Sequence, residues 1–186
     1  MHHTTVRDLF ERMASRGTGA YGLSDVNQVE HAIQSAALAS GLGLSDEMII
    51  AALFHDIGHL FSEEDVDLAS LGVNDHHEDS SADVLMPLFG PMVSEPVRLH
   101  VAAKRYLCSV ENDYFSKLST DSRVSLELQG GLMLTDEVRA FEEKPFWQEG
   151  VQLRRIDDQA KVPGLDVPEL VSYLAMAEAL SSRNRG

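Results

Sequence analysis

Apolar residues recur at helical spacing along nearly the whole chain, and no run alternates in the way a half-buried strand does. That periodicity predicts an all-α protein of eight or nine helices. Val6, Leu9, Phe10 and Met13 mark the first helix, and the glycine-bearing stretch 16–24 reads as a loop. Asp25, three residues before Gln28, is the expected N-cap of a helix that runs to about Ser40 and stops at Gly41. Ser45 caps a helix with the apolar body Met48–Phe54, ending near Gly58. Further helices are expected over His77–Phe89, from Ser94-Glu95-Pro96 past Cys108, from Asp121 or Ser122 to Gly130-Gly131, and from Thr135 to Pro145. The last two are expected over Phe146–Lys161 and, behind a capping box of Asp166 and Glu169, about 167–181. At 186 residues the chain suits one domain, 1–186, with a core over about 21–161.

Charge narrows the partners. Acidic residues outnumber basic ones 30 to 15, a net charge of −15, which disfavours nucleic acid or an anionic membrane as a partner. The longest apolar run, Met48–Phe54, is too short to cross a bilayer. Cys108 is the lone cysteine, so no internal disulfide forms and a reducing cytoplasm is the expected setting. A small anionic substrate is compatible with this charge only where a few basic residues converge. Nothing in the sequence specifies a second copy of the chain.

Against that acidic background stand eight histidines. His55-Asp56 ends the most apolar helix, in Ala51-Ala52-Leu53-Phe54-His55-Asp56-Ile57-Gly58-His59. On a surface such a pair means little; buried at the end of an apolar helix, it needs partners. Candidates occur one per helix: His31, His76 or His77, His100, and Asp157. Four imidazoles and two carboxylates without a thiolate suit iron, manganese, zinc or nickel. Six ligands suit two metals, with Asp56 able to bridge through its two oxygens.

The order H…HD…H…H…D is the HD-domain signature, and the likeness extends beyond it. Tyr21 in the glycine-bearing loop, His100-Val101-Ala102-Ala103-Lys104-Arg105-Tyr106-Leu107, Ser125–Gly131 and Leu153–Lys161 together resemble the PhnZ/TmpB-type HD-domain oxygenases, over about Tyr21 to Lys161. These enzymes cleave carbon–phosphorus bonds at a mixed-valent Fe(II)/Fe(III) centre with O2 as co-substrate. The resemblance implies His31, His55 and Asp157 on one iron, His77 and His100 on the other, and Asp56 between them. His77 is preferred to His76 because the following Glu78 and small residues match the family pattern. It further implies a 1-hydroxyphosphonate substrate that yields a carboxylate and phosphate. Tyr21 would gate an iron until substrate displaces it. His59, Lys104 and Arg154 are the matched positions for substrate, with Ser125 and Gln129 as further contacts. Lys104 is one turn from His100, and Arg154 is three residues before Asp157, so both are expected to point toward the metals.

One departure bears on the substrate. In the aminoethylphosphonate enzyme a glutamate lies three residues after the gating tyrosine and receives the substrate ammonium; here that position is Ser24. Serine removes an anionic acceptor and opens space, which favours a trimethylammonium group held less intimately, with Asp25 as the nearby carboxylate. The implied reaction is cleavage of 1-hydroxy-2-(trimethylammonio)ethylphosphonate to glycine betaine and phosphate. The rival readings are a metal-dependent HD phosphohydrolase acting on a nucleotide or phosphate ester, which would release phosphate without oxygen, and a degenerate HD domain used as a sensor. The complete ligand set argues against the latter.

Overall fold

A computed structural model describes residues 4–18, 26–61 and 76–185, and among these the regular structure is entirely helical. The helices are α1 (Val6–Arg16), α2 (Gln28–Gly41), α3 (Asp46–Phe54), α4 (His77–Phe89), α5 (Pro91–Val110), α6 (Tyr114–Lys117), α7 (Thr120–Leu128), α8 (Thr135–Glu142), α9 (Trp147–Gln159) and α10 (Leu174–Asn184). Two 3-10 segments, Ile57–Phe61 and Leu170–Tyr173, join them.

Local chemistry accounts for most boundaries. Thr5 and Asp8 close a capping box at the start of α1, whose Val6, Leu9, Phe10 and Met13 are buried as the spacing predicts. The cap of α2 is Asn27, not Asp25: the Glu30 N–H donates to the Asn27 side chain, and the Asn27 N–H donates to the Glu30 carboxylate. Asp25 itself lies outside the described residues. Ser45 caps α3 as expected, and every residue from Met48 to Phe54 is buried.

The fifth helix begins earlier than the sequence suggests, at Pro91 rather than Ser94. Gly90, at φ 74°, turns the chain within one residue, and Pro91 occupies the first helical position, where its missing N–H costs nothing. Pro96 therefore falls inside a 20-residue helix. The capping box expected at Asp166 and Glu169 does not form; Glu169 precedes a 3-10 turn and α10 starts only at Leu174. The one-turn helix α6 carries too little periodicity to be seen in the sequence.

Helix α5 packs against α4, α9 and α3, and α2 packs against α3 and α9. The main apolar core gathers α1 to α4, the start of α5 and α10, and includes the edge-to-face pair Phe10 and Phe54. A second, smaller core is built on Leu99, Ala103, Tyr106 and Leu107 of α5 with Tyr114, Leu118, Leu126 and Phe141. Val97 belongs to the first cluster and Leu99 to the second, so His100 follows the point where α5 passes from one core to the other. Leu153 and Ile156 of α9 join the first core, while Val151 and Trp147 pack on the second. The paired helices α5 and α9 thus hold a polar seam between two apolar masses.

Candidate metal centre and substrate pocket

Three of the candidate imidazoles are each aimed by a hydrogen bond on the far side of the ring. His55 caps the C-terminus of α3, and its Nδ1 lies 2.8 Å from the Ala52 carbonyl of the last turn. His100 repeats the device on α5, with Nδ1 2.6 Å from the Val97 carbonyl. His31 reaches across to α9, with Nδ1 2.8 Å from the Ala160 carbonyl. A carbonyl only accepts, so Nδ1 is the protonated nitrogen in all three neutral rings, and each Nε2 presents a bare lone pair inward. Such outer bonds fix tautomer and orientation in metal sites.

Those lone pairs converge. His31 Nε2 and His55 Nε2 are 3.1 Å apart, and Asp157 Oδ1 is 3.2 Å from the former. His31, His55 and Asp157 form one buried group with metal-ligating atoms close together; Asp56, His77 and His100 form a second. Asp56 faces both: its Oδ2 is 3.4 Å from His55 Nε2, and its Oδ1 is 3.4 Å from His77 Nε2 and 3.5 Å from His100 Nε2. Two neutral imidazole lone pairs at 3.1 Å repel unless a cation or proton lies between them. The donor set, four imidazoles and two carboxylates buried without a thiolate, fits two such cations.

The backbone beneath is equally specific. Gln28 donates from Nε2 to the Asp56 carbonyl at 2.7 Å. The Gly58 N–H donates to Ser81 Oγ at 2.8 Å, and a Cβ at Gly58 would stand 2.3 Å from the His77 carbonyl oxygen. The 3-10 turn after His55-Asp56 therefore presses on the start of α4 and brings His77 to the site. His76, by contrast, sits at φ 50° with a side chain 65% exposed, grouped with the exposed Asp79 and the buried Glu78 and apart from both inner clusters.

Electrostatics follows from burial and pairing. Burial raises the Asp56 carboxyl, but the surrounding imidazoles, His55 first and then His100 and His77, outweigh it and hold the group well below the usual carboxylate range. Burial likewise raises Asp157, and Arg154 and Lys161 overcome it in the same direction. Burial pushes His31 and His100 down, whereas for His55 the opposing pull of Asp56 wins and pushes it up.

The expected cationic lining is present. Lys104 is 2% exposed and donates to Ser125 Oγ at 2.6 Å. Burial first, then the neighbouring Arg154, pushes its amine down to about 7. Arg154 is 3% exposed and forms an ion pair from NH1 to Asp157 Oδ2 at 2.7 Å. His59 stacks on His77, with centroids 4.1 Å apart. Gln129 ends α7, and its Oε1 is a buried oxygen with no hydrogen-bond partner among the described residues. Tyr21 and Ser24, like Asp25, lie outside the described residues.

Four neighbours carried no assigned role in the sequence reading. Lys161 Nζ is 3.1 Å from Asp157 Oδ1, and Asp158 is paired with Arg154. Both stand one turn from their partners on α9, an i,i+4 spacing that flags a pair once the first member is suspected. Ser122 accepts from Arg154 at 3.0 Å. Tyr114, which bonds Arg154 and Asp158, comes from the one-turn α6 and has no sequence signal of that kind.

A buried double cluster of imidazoles bridged by one carboxylate is what defines HD-type metal proteins. The HD-domain family model matches residues 29–139. The chain is 50% identical over 175 residues to hydroxymethylphosphonate dioxygenase of Gimesia maris, covering 94% of this chain and 87% of that one. It is 35% identical over 178 residues to the glycine-betaine-forming [1-hydroxy-2-(trimethylamino)ethyl]phosphonate dioxygenase of Leisingera caerulea, covering 96% and 89%. The chain belongs to the HD-domain family, and within it to the PhnZ/TmpB-like oxygenases.

Proposed function

We propose that this oxygenase uses O2 to cleave the carbon–phosphorus bond of a 1-hydroxyphosphonate at a two-iron centre, with hydroxymethylphosphonate as the first candidate substrate. One HOCH2PO3 dianion and one O2 would give formate and phosphate, with all atoms accounted for. The observation that carries the reading is the 50% identity to a hydroxymethylphosphonate dioxygenase over 94% of the chain. The site agrees with it chemically. His31, His55 and Asp157 would hold one iron, His77 and His100 the other, and Asp56 would bridge them. A mixed-valent Fe(II)/Fe(III) pair would supply the electron chemistry that activates dioxygen.

The residues of the chain do the rest. Lys104 and Ser125 offer an ammonium and a hydroxyl to the phosphonate oxygens, joined by the NH1 edge of Arg154, His59 and Gln129. Charge-assisted bonds of this kind contribute roughly 1.5–3 kcal/mol each. Burial of Lys104 and Arg154 keeps water from screening them. By the resemblance, Tyr21 would gate an iron, and Ser24 and Asp25 would bear on which C1 substituent is accepted.

The trimethylammonio substrate is the second reading, favoured by the 35% relative. Serine at position 24 suits it, because no anion there demands an N–H donor. The same feature suits a substrate with no cation at all, and the 50% identity supports trying that one first. The test incubates iron-loaded protein with each substrate, with and without O2, and measures phosphate with formate or glycine betaine. Oxygen-dependent phosphate with formate supports the first reading. Faster turnover of the trimethylammonio compound replaces it with the second. Phosphate released from a phosphate ester without oxygen would leave the phosphohydrolase standing instead.

A further inference from the structure

Arg154 makes more contacts than a substrate-binding cation needs. Its Nε donates to the Tyr114 hydroxyl at 3.2 Å, and its NH2 donates to Ser122 Oγ at 3.0 Å and to Asp158 Oδ1. The Tyr114 hydroxyl in turn donates to Asp158 Oδ2. Arginine, phenol and carboxylate therefore close a ring. Its members come from α9, α6 and α9 again, with Ser122 of α7 attached. Only the NH1 edge faces out of the ring, and it lies against Asp157 Oδ2, 2.7 Å away. The opposite oxygen of Asp157 is the one 3.2 Å from His31 Nε2.

This geometry has a use beyond charge balance. A lone arginine on a helix has several rotamers, and only one would fix Asp157. Two bonds on NH2 and one on Nε leave the plane of the guanidinium no freedom to turn. We propose that Tyr114 and Asp158 are positioning residues: they lock Arg154 so that its free edge holds the Asp157 carboxylate in the orientation that lets its other oxygen serve as a metal ligand. The inference rests on the reading of His31, His55 and Asp157 as a metal site. It extends the outer shell of that site to α6, a one-turn helix between α5 and α7.

Removing an outer partner of a metal ligand typically costs about ten- to a hundredfold in metal affinity. The test titrates metal-free protein with Co2+, following its visible absorption, for wild type, Asp158→Asn and Tyr114→Phe, and repeats both changes in an Arg154→Met background. Far-UV circular dichroism checks that each chain folds, and D158N, nearly isosteric, stands in should Y114F not fold. The expected result is weaker cobalt binding by about tenfold or more for D158N and Y114F, and no further weakening by either change once Arg154 is methionine. Unchanged cobalt affinity in the folded single variants overturns the proposal, as does an equal loss with and without Arg154, which would mean that the two residues act on folding and not through the guanidinium. A wild-type chain that binds no cobalt overturns the metal reading and this inference together, whereas binding that is indifferent to the variants overturns this inference alone.

Discussion

At the scale of single residues the site runs on two opposed charge problems. Lys104 is a buried cation whose proton is loosely held, because desolvation and the adjacent Arg154 both favour the neutral amine, at about 7. A phosphonate dianion beside it reverses that preference. Phosphonate affinity should therefore weaken as pH rises above 7, with KM climbing while Lys104 loses its proton, and steady-state kinetics between pH 6 and 9 would read it. Lys104→Arg should abolish this inflection, since guanidinium stays protonated. Lys104→Met should raise KM by about ten- to a hundredfold, in line with the loss of one charge-assisted bond. The stability effect has the opposite sign. The unfolded lysine holds its proton up to its ordinary 10.5 while the folded one releases it near 7, so folding gains from Lys104 as pH rises across that window. A melting curve of substrate-free protein, wild type against K104M, should show the difference closing from pH 7 toward 10.

At the scale of elements the ligands are placed by helix ends and tight joints. His55 is where it is because α3 stops there and its last carbonyls need donors. His77 is where it is because Gly58 lets the 3-10 turn press against the start of α4. Gly58→Ala would drive a methyl to 2.3 Å from the His77 carbonyl and 2.9 Å from Ser81 Oγ. Overpacking of that kind costs typically about 1–3 kcal/mol. The variant should melt several degrees lower and bind the second metal more weakly than the first, which metal analysis after dialysis would detect as less than two equivalents. Unaltered stoichiometry would mean that α4 can shift without carrying His77 away.

Much of this was legible in the sequence. The six candidate ligands, Lys104 and Arg154 are all found by spacing and by likeness, because one residue per helix on an inner face is a pattern that helical periodicity exposes. The start of α5 was not: a glycine in the left-handed region followed by proline begins that helix, and Pro96 inside it looks like the stronger punctuation. The Tyr114 ring was not legible either, since it joins residues 40 and 44 apart through a helix of four residues. Asp158 and Lys161 were half-legible, as i,i+4 partners of residues already suspected.

At the scale of the whole molecule the metal centre is also a folding centre. His31 of α2, His55 at the end of α3, His77 of α4, His100 of α5 and Asp157 of α9 converge, so ions bound among them would tie five helices at one point. The metal-free protein instead packs inward-facing lone pairs and two carboxylates together, relieved by Arg154 and Lys161. Binding energy at such a place is folding energy. Metal loading should therefore raise the melting temperature by an amount that grows with the logarithm of the ratio of free metal to its dissociation constant, and chelation should reverse it. The pH response separates the two forms. Asp56 and Asp157 have depressed carboxyls, so the stability they contribute is present above the ordinary value of 3.8 and fails only in strong acid. His31 and His100 are depressed and His55 is raised, so below 6.5 the first two cost the folded state while the third supports it. Those opposing signs partly offset one another in the metal-free protein between pH 7 and 5. The loaded protein has no such compensation, because every ligand imidazole must stay neutral to hold its metal. Its melting temperature should fall steeply over the same interval and meet the metal-free curve at the acid end. Parallel curves for the two forms would mean that the ions bind elsewhere than among these imidazoles.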